Sequence, residues 1–166
     1  KDVDGFHPGN MKRFVAGETT MAPVIVNALL QLIAASGISL PGKNVSVFAN
    51  STIFAEPLRV ALESRGLHVT TYLGKNLPDT APTVAIADIV VVAVGKPKYV
   101  RAKDCKDGAV IIDVGTNWLP DGSYAGDVDA EGAEQKPGWL TPVPGGVGPM
   151  TVAALTENVV ALTKRR

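Results

Sequence analysis

Apolar positions along this chain alternate between runs of helical spacing and short continuous runs. Val24, Ala28, Leu29, Leu32 and Ile33 recur on one helical face and predict a helix over Ala22–Ala35, which Gly37 can end. Val45, Val47 and Phe48 predict a short strand after the Pro41-Gly42 turn. Glu56–Ser64 reads as a helix, with Pro57 tolerable only in its first turn and Gly66 as its stop. His68–Tyr72 is a second strand. Asp79–Ala87 is helical in pattern but contains Pro82, so the helix should be short. Asp88–Val94 and Val110–Val114 are continuous apolar strands, ending at Gly95 and at Gly115-Thr116-Asn117. Asp121-Gly122 marks a turn, Trp139–Thr141 a last short strand, and Met150–Leu162 a final helix.

Continuous β-branched strands separated by helices imply a parallel sheet buried on both faces. The expected fold is therefore α/β: a doubly wound, mostly parallel, Rossmann-like sheet with helices on both faces. Ligands of such sheets bind beyond the carboxyl ends of the strands. Four turns follow expected strands and should meet on that edge: Ala49-Asn50-Ser51, Gly95-Lys96-Pro97, Gly115-Thr116-Asn117 and Pro144-Gly145-Gly146.

The run Thr141-Pro142-Val143-Pro144-Gly145-Gly146-Val147-Gly148-Pro149-Met150-Thr151 carries the densest signal. Its glycines let the backbone take positive φ and approach a bound group closely. Pro149 suits the first turn of a helix. A rigid, glycine-lined turn feeding a helix N-terminus presents free N–H groups to a ligand. A tight structural turn before the last helix is the competing reading.

Composition narrows the classes. At 166 residues, 46% hydrophobic and 19% charged, the chain is long enough for one domain with a full core. A formal net charge of zero argues against electrostatic binding to nucleic acid or an anionic membrane. It also leaves no strong charge barrier to self-association. The lone Cys105 excludes an intramolecular disulfide and fits a reducing, cytoplasmic setting. It reads as a surface or edge cysteine whose pKa Lys106 could depress. No apolar run reaches the length of a membrane span, and no signal peptide is visible. His7 and His68 are isolated, so no metal site is expected. Trp118 and Trp139 read as packing or dimer residues.

The residues also carry a resemblance. Lys1-Asp2-Val3-Asp4-Gly5-Phe6-His7-Pro8 and the Thr141–Thr151 run resemble the two most characteristic motifs of the bifunctional methylenetetrahydrofolate dehydrogenase/cyclohydrolase family, in its C-terminal NAD(P)-binding domain. Between them, Ala87-Asp88-Ile89, Gly95-Lys96-Pro97, Ile112-Asp113-Val114-Gly115 and Gly126-Asp127-Val128 fall in matching order. The resemblance spans residues 1–166 as one domain and makes residues 1–10 the end of an upstream catalytic domain. It implies hydride transfer from 5,10-methylenetetrahydrofolate to NADP or NAD, then hydration to 10-formyltetrahydrofolate. Asp4 would meet the pterin of the tetrahydrofolate derivative, its carboxylate accepting ring N–H bonds. Taken alone, Asp4 could equally cap backbone N–H groups. Pro144 and Gly145 would line the folate cleft. Asn50, Ser51, Gly74, Lys75, Gly95, Pro97, Gly115, Asn117, Gly146, Gly148 and Thr151 would line the cofactor. The family's catalytic Tyr and Lys would lie upstream of Lys1, so no catalytic residue is assigned in this chain. Family members pair through this domain, which implies a homodimer; a monomer by light scattering at micromolar concentration would exclude it.

Departures from the family pattern matter equally. Its Gly-Arg-Ser turn reads Ala49-Asn50-Ser51 here, and a later glycine is Ala55. A guanidinium clamps phosphate bidentately, and Asn50 cannot supply that charge. A second phosphate contact, a serine, is Gly74, and Thr20-Met21-Ala22-Pro23 replaces Pro-Cys-Thr-Pro. These changes imply weakened or altered nucleotide binding, and keep open a second reading: a non-catalytic dimerisation or regulatory module. An NAD site places an acidic residue about 20 positions beyond the first turn. No Asp or Glu occurs between Gly66 and Pro78, and Lys75 sits near where a 2′-phosphate would be met, which leans to NADP over NAD; a solvated loop lysine is the competing and stronger reading of Lys75.

Overall fold

The computed structural model describes residues 1–19, 21–74, 77–136 and 138–164. Helix α1 (Pro8–Val15) and α2 (Val24–Ala35) precede β1 (Asn44–Ala49), α3 (Thr52–Glu63) and β2 (His68–Leu73). Then come α4 (Thr80–Val84), β3 (Ile89–Ala93), β4 (Val100–Arg101) and β5 (Val110–Asp113). The short pieces β6 (Asn117–Trp118), β7 (Tyr124–Ala125), β8 (Val128–Asp129) and β9 (Trp139–Leu140) lead to α5 (Val147–Thr163).

Five strands form one sheet in the order β2-β1-β3-β5-β9, and every pairing in it is parallel. Side chains alternate between two cores. Val45, Val47, Ile89, Val91, Val110 and Ile112 face Leu29, Leu58 and Leu62 on one side. Phe48, Val90, Val92 and Ile111 face Val84, Val100 and Cys105 on the other. Burial on both faces is why these strands read as unbroken apolar runs. The first strand sits between the second and third, so the connections diverge at β1 and β3. That divergence opens a crevice at their carboxyl ends.

The two faces are covered unequally. Helices α2, α3 and α5 cover one; the short α4, a 3₁₀ turn at Ala102–Asp104 and the β4–β8 ladder cover most of the other. With Pro82 inside it, α4 has only five residues. Three helices differ from the sequence reading, and the last of them, α5, starts at Val147, three residues before Met150. The spacing does not reveal α1, which starts at Pro8 with the His7 Nδ1 accepting from Gly9 N–H. Helix α3 begins at Thr52, four residues before Glu56, because Ser51 caps it by accepting from Ile53 N–H. Pro57 therefore lies inside α3, not in its first turn; its ring is buried in the core, against the lost N–H bond.

Cys105 is also not at the surface: it is buried, and burial pushes its thiol up to about 11. Lys106 does not act on it as expected but donates to Asp88 Oδ1 at 2.6 Å. Burial alone would raise the Asp88 carboxyl. Lys106, the Asn44 N–H and Lys43 together hold it below the ordinary carboxylate range. The stability this contributes is complete at neutral pH and disappears as pH falls through the lowered folded value. Lys106 is partly exposed, so the contribution is about 1 kcal/mol. Urea unfolding should show Asp88→Asn weaker than the parent by that amount at neutral pH. The gap should close on acidification; one that stayed constant would contradict the assignment.

Candidate functional site at the carboxyl edge of the sheet

The carboxyl ends of β1, β3, β5 and β9 are tied together by one chain of polar contacts. At β1, Asn50 donates its N–H to Ala93 O at 3.2 Å and its side-chain amide to Val94 O. At β3, the N–H groups of Val94 and Gly95 both donate to Asp127 Oδ2, at 2.6 and 2.8 Å. Asp127 Oδ1 accepts from the Asn117 side chain at 2.9 Å. Asp127's own N–H donates to Asp113 Oδ1 at 3.0 Å, and Val128 N–H to Asp113 Oδ2 at 2.8 Å. Gly115 N–H reaches the same Asp113 carboxylate at 2.9 Å. Asp113 N–H donates to the Thr141 hydroxyl at 2.8 Å, which reaches the end of β9.

Both carboxylates are deep in the protein, Asp127 at 0% and Asp113 at 3% exposure. Burial pushes the Asp113 carboxyl above its ordinary value; its three N–H donors act against that rise, and nearby Asp127 adds to it. Two glycines make room for the pair. A Cβ on Gly115 would run into Asp127, and one on Gly126 into Asp113. Both aspartates lie in motifs that carry the family resemblance, but the sequence gives neither a role. The available signal was an acid closing an apolar strand, Ile111-Ile112-Asp113, where burial demands partners.

The expected site residues sort into three groups. Asn50, Ser51, Gly95, Gly115 and Asn117 lie on the carboxyl edge as expected, but several N–H groups are already committed. Gly95 N–H goes to Asp127 and Gly115 N–H to Asp113. Asn117 donates to Ala125 O as well as to Asp127. What Gly95 offers a ligand is room, from φ +63° and no side chain. Gly74 ends β2 at φ +78°, and Pro97 is exposed in the turn after β3. Lys75 and Thr20 lie outside the described residues.

The second group is the glycine turn. The Val143–Pro144 peptide is cis, and Gly145 follows at φ +108°. Gly146 is buried, its N–H donating to Pro142 O at 2.9 Å; a Cβ there would sit 2.6 Å from that oxygen. Gly148 is exposed in the first turn of α5, and Thr151 donates its hydroxyl back to Gly148 O at 2.6 Å. Two long helices, α3 and α5, begin directly after turns of this edge; Ser51 caps the Ile53 N–H of α3, and Pro149 in the first turn of α5 has no N–H to satisfy.

The third group is Asp4, which is held elsewhere. Its carbonyl accepts from Val24 N–H, and Asn158 in α5 donates to Val3 O and Ala22 O. That anchors the segment about three helical turns beyond Gly146. Backbone capping in this segment falls to Asp2, which accepts from Gly5 N–H, His7 N–H and Asn10. Asp4 itself is exposed. Tyr99 and Lys103 are four apart, but Tyr99 lies ahead of β4 and Lys103 in a 3₁₀ turn, with the Tyr99 hydroxyl donated to Pro78 O. They share no helix face. Among the described residues no cluster of His, Cys, Asp or Glu suits a metal ion, and no helix is long and apolar enough to cross a membrane.

A parallel sheet with its switch point between β1 and β3, glycine turns at the strand ends and two helix N-termini facing them defines a dinucleotide-binding type of α/β domain. Residues 23–166 match the family model described as tetrahydrofolate dehydrogenase/cyclohydrolase, NAD(P)-binding domain. The chain is 44% identical over 165 residues to the bifunctional protein FolD of Bacillus licheniformis, covering 99% of this chain and 58% of that protein. It superposes on the FolD crystal structure from Campylobacter jejuni with a TM-score of 0.90 at 38% identity, over 100% of this chain and 59% of that one. It also superposes on the Trypanosoma brucei enzyme complexed with NADP cofactor and inhibitor, with a TM-score of 0.88 at 35% identity, over 99% of this chain and 59% of that one. The chain belongs to the tetrahydrofolate dehydrogenase/cyclohydrolase family, as its NAD(P)-binding domain. It spans a little under three-fifths of the length of the relatives it matches.

Proposed function

We propose that this chain is the cofactor-binding part of a methylenetetrahydrofolate dehydrogenase/methenyltetrahydrofolate cyclohydrolase of cytoplasmic one-carbon metabolism, with NADP as its nucleotide. The observation that carries the reading is the meeting of Asn50-Ser51, Gly95, Gly115–Asn117 and Gly145–Gly148 on one sheet edge, in a chain of this family. The nicotinamide, when bound, supplies the hydride acceptor. The chain's own residues supply position. Ser51 and the first N–H groups of α3 meet the phosphates at the β1–β3 crevice. Gly145 and Gly146 let the nicotinamide end approach the backbone, and Pro144 holds the turn against the folate. Asp4, exposed on its anchored segment, is the pterin contact implied by the family, in the part of the cleft that the upstream Tyr and Lys would complete. The exposed Trp118 packs against Tyr124 with ring centroids 3.9 Å apart and the planes tilted by 39°, an aromatic surface suited to the homodimer that is part of this reading.

The non-catalytic alternative rests on Asn50, which ties itself to Val94 O where the family pattern has a free guanidinium. Identity of 44% across 99% of the chain favours the enzyme. Calorimetric titration with NADP and then NAD tests the reading. Micromolar binding of NADP, tighter than NAD, is expected; no binding of either up to millimolar nucleotide would overturn it.

A further inference from the structure

The geometry points to Asp127 as a positioning residue for the dinucleotide, setting the β3 turn and the Asn117 amide before any ligand arrives. Its carboxylate is fully buried and takes the N–H groups of Val94 and Gly95 on one oxygen and Asn117 on the other. These three donors come from two loops that flank the crevice. A backbone turn with both N–H groups held by one carboxylate cannot rotate them toward a ligand, so the positive φ of Gly95 is fixed in advance. The far side of the same turn is held by Asn50 on Val94 O. Asp127 is itself located by its N–H to Asp113 and by the missing side chain of Gly115. Order built in beforehand is not lost again on binding, and affinity gains accordingly.

Two acceptor oxygens are needed here, not only a shape. In Asp127→Asn the retained oxygen still accepts from Val94 and Gly95. Its new NH₂ group then faces the Asn117 NH₂, donor against donor. Turning the Asn117 amide over would set its oxygen against Ala125 O, which it now serves as a donor. The isosteric change therefore frees Asn117 and loosens the turn while leaving packing volume unchanged.

The inference rests on the dinucleotide reading, and its test separates the two. The 166-residue chain is titrated with NADP by calorimetry as parent, as Asp127→Asn and as Ile33→Val. The last lies in the helical core away from the edge and controls for lost stability alone. At least a tenfold rise in Kd is expected for Asp127→Asn, with less than a twofold change for Ile33→Val. Equal Kd for a folded Asp127→Asn and the parent would overturn the positioning role while leaving the dinucleotide reading intact. No binding by the parent would overturn both. Should Asp127→Asn not fold, amide hydrogen exchange of the ligand-free parent decides. Slow exchange at Val94 and Gly95, at the level of the sheet core, is expected, and exchange at the rate of exposed loops would refute the pre-set turn.

Discussion

A Gly115→Ala chain should unfold more easily than its parent by about 3 kcal/mol or more. Gly115 does not have a positive φ, so the cost is not backbone strain. The added Cβ would stand 2.6 Å from the Asp127 backbone nitrogen and overlap its carboxyl carbon. A flexible side chain could swing aside; Asp127 cannot, because three donors hold it and no solvent reaches it. Either β5 and the β7–β8 segment separate, or the carboxylate leaves donors unsatisfied, at about 1–3 kcal/mol for each buried group. Gly148→Ala is the contrast. Nothing lies within 4 Å of its would-be Cβ, it sits in α5, and alanine favours a helix by up to about 1 kcal/mol. Denaturant midpoints of the two variants should move in opposite directions, or Gly148→Ala should not move at all. A Gly115→Ala midpoint equal to the parent's would refute the packing described at this edge.

Restoring the guanidinium, Asn50→Arg, should tighten NADP binding by about 10–100-fold, the worth of one charge-assisted phosphate contact of about 1.5–3 kcal/mol. NADP should gain more than NAD if the added charge meets the adenosine phosphate. The same change removes the Asn50 bond to Val94 O, so a loss of stability of about 1 kcal/mol should accompany it. Adding Gly74→Ser should help less than the family pattern implies. Gly74 has φ +78°, and a serine there is strained by about 1 kcal/mol although space is open. Titration of the single and double variants with both nucleotides checks these expectations. Unchanged affinity for Asn50→Arg would mean that the phosphates do not lie at the β1–β3 crevice.

Much of the frame was legible because its causes are local. The continuous runs at β1, β3 and β5 are buried on both faces, and that alone makes them apolar without alternation. Gly37 and Gly66 end their helices at positive φ, as the pattern at each helix end implied. The start of α3 is not legible in the sequence because a proline at the sixth position of a helix contradicts local propensity. It is tolerated there by capping at Ser51 and burial of the ring. The charged neighbours Asp104 and Lys106 suggest a surface or edge position for Cys105. Those two point to Arg101 and Asp88, and the thiol faces the core.

By itself the sequence determined the parallel α/β architecture, the turns that meet at the carboxyl edge and the family, since these follow from hydrophobic period, turn residues and contiguous motifs. Only the tertiary structure decided which groups at that edge are free. The resemblance implies that Gly95, Gly115 and Asn117 line the cofactor, yet their N–H groups belong to Asp113 and Asp127. A buried carboxylate recruits its partners by proximity in space, here across separations of 32 to 33 residues between β3 and Asp127. No spacing rule within the chain encodes such a pairing.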